Sequence, residues 1–315
     1  MSLESAVNEY IMYHEWERNS RPKTIVWHKK NFECFKKYLS SLFPSPQLSN
    51  FTDINIRNFL LTRVKDEGIS MRTALNQWQS LRAFSSFLIS REYLDKDPML
   101  KVTRPKVERK LPNALNEDEV KTLIKYMVSR RKKRYRMAYL RDLALIGCFL
   151  FAGLRRSEAM NLNISDIDIP DKVIKLQRTK TRRVEIVPIN KTLLTLLENY
   201  LPIRNALKRN TDKLFVCTNR SGHNKQRGDG SFQTRGLQLL FREINDNIGS
   251  KISQHIHPHL LRRTFGTLLL RKGVNIVNVS RLLRHSDISI TCRSYIGWNG
   301  QELSQAIEKC NISLA

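Results

Sequence analysis

The chain has 315 residues, 41% of them hydrophobic, which is enough for two ordinary domains with buried cores and argues against global disorder. Its formal net charge of +26 predicts a polyanionic partner, although a membrane surface would also attract it. No apolar run is long enough to span a bilayer, and the N-terminus, MSLESAVNEY, carries no signal-peptide pattern, so a membrane or exported protein is not expected.

The charge is uneven. Residues 1–100 hold 14 Lys/Arg against 11 Asp/Glu, so almost all of the excess lies beyond them. That later part should dominate contact with the polyanion. The five cysteines, Cys34, Cys148, Cys217, Cys292 and Cys310, are scattered and form no CxxC pair. This pattern speaks against a disulfide framework or zinc ribbon and favours a reducing cytoplasm.

The first hundred residues read as four or five helices. Leu3, Val7, Tyr10 and Ile11 repeat at helical spacing. Ile25, Phe32, Phe35, Leu39 and Leu42 form a second stripe, closed by Pro44 and Pro46. Ile56, Phe59 and Leu60 mark a short third helix, and Leu75, Trp78, Leu81, Phe84 and Leu88 a longer fourth, stopped by Asp97-Pro98. Residues 101–112, KVTRPKVERKLP, are basic and aperiodic and read as an extended linker.

A second domain is expected over residues 113–315. Asn116 to Glu119 make a capping-box start to a helix. Arg130, Arg131, Lys132 and Lys133 open a dense basic run, either a solvated loop or a set of phosphate contacts. Residues 141–154, RDLALIGCFLFAGL, form a buried helix. The period then changes: Val173, Val184, Ile186 and Ile189 predict two or three short strands around a polar turn at about 178–182. Helix returns at 191–207, a Gly/Asn/Ser/Arg-rich loop occupies 218–234, and helices continue from Arg235. In the tail, Leu303, Ala306, Ile307 and Cys310 share one stripe.

In HPHLLRRTF, residues 257–265, His259 and Arg262 stand three apart, which places them on one helix face. A phosphate site would want that pair, because Arg binds phosphate oxygens through a planar fork and His can carry a proton near neutral pH. A satisfied surface cluster would look the same. His255, His257 and His259 alternate, but Pro258 interrupts them and the following sequence reads as helix, so a metal site is not expected.

Taken in order, the motifs converge. AGLRRSE supplies Arg155 and Glu158, TKTRRVEIVP places Lys180 eight residues before Pro188, HPHLLRRTF supplies His259 and Arg262, and RLLRHSDISITCRSYIG supplies His285 and Tyr295. This order resembles the tyrosine recombinase (phage integrase, Xer-type) family. The first hundred residues, through Thr24, Leu81-Arg82-x-Phe84 and Asp97-Pro98, look like the family's helical core-binding domain. There are departures. Arg263 follows Arg262 where the family usually has His, Arg284 precedes His285 where Gly is common, and Tyr295 stands ten residues after His285 where nine is usual. Tyr295 is nevertheless the only tyrosine after Tyr200.

The resemblance implies a mainly α fold with a small antiparallel β-sheet in the catalytic domain, arranged as a two-domain C-shaped DNA clamp. It implies a site-specific recombinase acting on double-stranded DNA, as a dimer on one site and a homotetramer on two, in the cytoplasm at the nucleoid. Tyr295 would be the nucleophile, Arg155 and Arg262 the phosphate clamp and Lys180 the general acid. His259 and His285 would assist, and Glu158 would hold Arg155 or His259 in place. Arg182, Arg183 and Arg263 join residues 130–133 as candidate DNA contacts, and the tail would dock on a neighbouring protomer. No metal or other cofactor is implied. Two other readings stay open: a type IB topoisomerase-like nicking-closing enzyme, separated by its failure to make Holliday junctions, and a DNA-binding protein without strand exchange, separated by its failure to form a covalent adduct.

Overall fold

The computed structural model describes residues 1–108, 114–130, 136–177, 184–207, 209–217 and 230–295, with side chains as far as residue 292. The chain divides into two compact units, Met1–Lys110 and Leu111–Ala315.

In the first unit α1 (Leu3–Met12) runs into a π-helical turn, Tyr13–Glu17, and is followed by α2 (Pro22–Leu42), α3 (Asp53–Lys65) and α4 (Met71–Ser90). Short polar residues set the starts. The Ser2, Thr52 and Ser70 hydroxyls accept from backbone N–H groups three residues on, and Pro22 opens α2 where its missing N–H costs nothing. Tyr10, Phe35, Phe59, Phe84 and Leu88 are fully buried and define the core. Leu42, expected on the inward stripe, is exposed, because α2 ends there and Phe43 leaves the helix to pack against the core instead. Met99 and Val102 also belong to this core, and Trp78 donates its indole N–H to the Val102 carbonyl at 3.1 Å. The first unit therefore extends past residue 100.

The second unit begins with α5 (Glu117–Ser129), opened by the expected capping box: Asn116 and Glu119 exchange hydrogen bonds of 2.9 Å. The next helix, α6 (Arg136–Phe151), is buried along nearly its whole length. It packs against α8 (Lys191–Ala206) and α10 (Pro258–Arg271). Gly147 permits the approach to α8, since a Cβ there would meet Leu196 Cδ1 at 2.8 Å. Between them lie α7 (Arg156–Asn161) and a three-stranded antiparallel sheet of β1 (Ile167–Asp168), β2 (Val173–Gln177) and β3 (Val184–Pro188). Ile174 of β2 stands opposite both Ile167 and Val187, so one sheet face points into the core. The turn expected at 178–182 and the loop expected at 218–234 lie largely outside the described residues. The unit continues through α9 (Thr234–Ile248), α11 (Ile276–Leu282) and α12 (Ile288–Tyr295). Thr264 ties α10 to the start of the unit by accepting from the Leu115 backbone N–H at 3.0 Å. The fold is mainly α with one small antiparallel sheet, as expected.

Candidate active site

Three stretches far apart in the chain build the site: the junction of α6 and α7, the first half of α10, and the turn between α11 and α12. Gly153 ends the α6 segment with φ +57°. That left-handed turn suits glycine. It makes Arg155 the N-cap of α7, with extended backbone (φ −70°, ψ 153°). Glu158, at the third helical position, accepts the Arg155 backbone N–H at 2.7 Å and its Nη1–H at 2.5 Å. The Arg155–Glu158 pair is therefore a helix cap rather than a pair along one helix.

Arg262 projects from α10 and is 3% exposed. Its Nη1 donates to the Gly153 carbonyl at 2.6 Å, and its Nη2 donates to the Leu283 carbonyl. Nη1 also lies 3.7 Å from Glu158 Oε2. Arg284 adds a third guanidinium, donating to Glu158 Oε2 and to the Gly153 carbonyl at 2.9 Å each. Arg155 Nη2 in turn donates to the Arg284 carbonyl at 2.6 Å. One carboxylate thus faces three arginines. Burial alone would raise the Glu158 carboxyl, but Arg284 and the hydrogen bonds from Arg155 hold it below its ordinary range.

The histidines respond to the same charge. Burial first, then Arg262, Arg155 and Arg284, push His285 down to about 4, so its ring is neutral at pH 7. Its Nδ1 pairs with Thr291 Oγ1 at 2.7 Å. His259 is lowered by desolvation and then by Arg263 and Arg262. Arg155, Glu158, Arg262, His259 and His285 accordingly share one electrostatic neighbourhood, with Arg263 at its edge.

Tyr295 is the last residue of α12, four residues beyond Thr291, the partner of His285. Lys180, Arg131, Lys132, Lys133, Arg182, Arg183 and the tail lie outside the described residues. Arg130 corrects an expectation. It is 2% exposed, its Nη1 is 3.2 Å from Asp142, and its Nε and Nη2 donate to Glu243 at 3.1 Å. A guanidinium enclosed by two carboxylates is a structural group and is not offered to DNA. Among the described residues no group of three His, Cys, Asp or Glu is placed to hold a metal ion. Arg284 and Gly153 were not among the expected site residues. The one signal was that Arg284 occupies a position where Gly is common.

Residues 113–302 match the model of the phage integrase family. The chain belongs to that family. Among curated relatives, tyrosine recombinase XerC of Oceanobacillus iheyensis is 30% identical over 292 residues, covering 92% of this chain and 90% of that protein. Tyrosine recombinase XerA of Pyrococcus horikoshii is 28% identical over 306 residues, covering 97% and 93%. Among solved structures, the Tn1549 transposon integrase in complex with a circular intermediate DNA superposes with a TM-score of 0.75 at 19% identity, over 99% of this chain and all of that one. The XerH recombinase bound to palindromic difH gives a TM-score of 0.72 at 22% identity, over 92% and 81%. These two share the fold. As a tyrosine recombinase, the chain is an enzyme of site-specific DNA recombination that cleaves and rejoins strands.

Proposed function

We propose that this recombinase cuts double-stranded DNA by attack of the Tyr295 hydroxyl on the scissile phosphorus. The tyrosine O–P bond forms, the P–O5′ bond breaks, and the strand is held as a 3′-phosphotyrosine. Lys180 protonates the departing 5′-oxygen. The tyrosine, with an ordinary pKa of about 10, needs help to ionise, and His259 accepts its proton or hydrogen-bonds the phosphate. Negative charge grows on the non-bridging oxygens as attack proceeds, and Arg155 and Arg262 stabilise it. His285, neutral at pH 7, steadies phosphate or tyrosine, and Glu158 holds Arg155. Attack by the 5′-hydroxyl of a second strand reverses the chemistry without ATP or a metal ion.

The observation that carries this reading is the single Glu158 carboxylate onto which Arg155 and Arg262 converge from segments more than a hundred residues apart. Arg155 keeps 38% of its side chain exposed, so it can meet a phosphate directly, while buried Arg262 lends its charge from close range. Arg131, Lys132, Lys133, Arg182, Arg183 and Arg263 contact flanking phosphates, and the helical first unit binds the core site. Two protomers occupy one site, four bring two sites together through their tails, and paired exchanges pass through a Holliday junction.

The test is strand exchange between two labelled duplexes carrying the recombination site. Recombinant product with a trapped Holliday junction is expected. Relaxation of supercoiled DNA with no junction would favour a topoisomerase-like enzyme instead.

A further inference from the structure

Arg284 combines two unfavourable features. Its backbone sits at φ +54°, a region L side chains rarely adopt and glycine enters freely. Its guanidinium is buried, 5% of the residue being exposed, so it has surrendered water. A turn between α11 and α12 needs neither. The side chain offsets this through contacts that include Glu158 Oε2 and the Gly153 carbonyl at 2.9 Å, and the Leu282 carbonyl at 2.6 Å.

Two of those partners also set the geometry of the arginine pair. Glu158 orients Arg155, and the Gly153 carbonyl receives Arg262. The backbone carbonyl of Arg284 itself receives Arg155 Nη2. We propose that Arg284 is a positioning residue for strand cleavage: its Nη2 donates to both Glu158 and the Gly153 carbonyl while its Nη1 is anchored on Leu282, and it so fixes Arg155 facing the phosphate with the Arg262 charge close behind it. It touches the arginines' supports rather than the substrate. The proposal rests on the reading of Arg155 and Arg262 as the phosphate clamp.

Glycine at this position relieves the backbone while deleting the fork, which separates the two roles. Arg284→Gly should fold, bind the recombination site within about twofold of wild type, and cleave a nicked suicide substrate about 10- to 100-fold more slowly in single turnover, the loss typical of removing a supporting contact. Methylguanidinium, added at constant ionic strength, should restore part of that rate by filling the vacated space. Arg284→Lys keeps the charge without the planar fork and should cleave at an intermediate rate. It also serves as the readout should the glycine variant fail to fold. Wild-type cleavage in either variant, a loss matched by weaker DNA binding, or a loss that methylguanidinium leaves unchanged would each overturn the proposal. Wild-type protein run alongside separates the two levels. If it forms no adduct, the clamp reading itself fails; if it does and Arg284→Gly equals it, only the role of Arg284 fails.

Discussion

Arg262 donates its Nη1–H to the backbone carbonyl of Gly153 at 2.6 Å, joining α10 to the turn that presents Arg155. The two arginines proposed to clamp the phosphate are therefore linked through the backbone of one glycine. Gly153 has no latitude: its φ is +57°, and a Cβ would lie 2.5 Å from Phe265 Cδ1. Gly153→Ala should cost about 2 kcal/mol from left-handed strain and overpacking. It should also slow cleavage more than it weakens DNA binding, because the Gly153 carbonyl shifts under Arg262. Chemical denaturation and single-turnover cleavage on the same preparation check both.

Glu158 offsets part of the charge of three guanidiniums held close together. Glu158→Gln keeps the shape and removes the charge. Removing that charge from beside buried Arg284 and Arg262 should destabilise the second unit by about 3 kcal/mol. A double-mutant cycle with Arg284→Gly should show strong non-additivity, since each residue's cost depends on the other. Additive effects would mean that the contact carries little energy.

Arg130 offers the opposite test. Its partners Asp142 and Glu243 are internal, so Arg130→Ala should lower unfolding stability by about 3 kcal/mol while leaving DNA affinity at fixed salt unchanged. A mutant that is fully stable but binds DNA weakly would place Arg130 at the interface after all.

The first unit carries its own titratable group. His28 is 3% exposed, with Nδ1 on Ser80 Oγ at 2.9 Å and Nε2 on Tyr10 Oη at 3.4 Å. Burial, aided by His14, pushes it down to about 4. The unfolded chain then binds the proton at higher pH than the folded one, so stability is full above about 6.5 and is lost as pH falls toward 4. The loss should amount to about 3 kcal/mol from this residue. Three of the four tryptophans, Trp16, Trp27 and Trp78, lie in this unit, so urea midpoints followed by fluorescence report it. His28→Gln should flatten the dependence between pH 4 and 6.5; an unchanged slope would assign it elsewhere.

What could be read from sequence follows the range of the forces involved. The capping box at Asn116 and Glu119 was legible because both partners sit within one turn. So was the buried α6, whose run of apolar residues has no other home. The strand pair followed from a change of period. Arg130 was not legible, because five basic residues in a row look alike and only tertiary structure shows which one folds back onto Glu243, 113 residues away. The same holds for Arg284: its contacts with Glu158 and the Gly153 carbonyl, more than 120 residues away, are non-local facts, and the sequence shows only an arginine in an unusual place. Arg155 and Glu158 were visible as neighbours, but their helix-cap geometry depends on where Gly153 turns the chain.

The central claim is that Tyr295 is the nucleophile of a metal- and ATP-independent cleavage. The direct measurement traps protein on a nicked suicide substrate bearing the recombination site, in chelator and without ATP, comparing wild type with Tyr295→Phe. A denaturation-resistant protein–DNA adduct that disappears in the variant, with site binding retained, is the predicted result. An adduct of equal yield in Tyr295→Phe would assign the attack to another residue, and its absence from wild type that still binds the site would contradict the account.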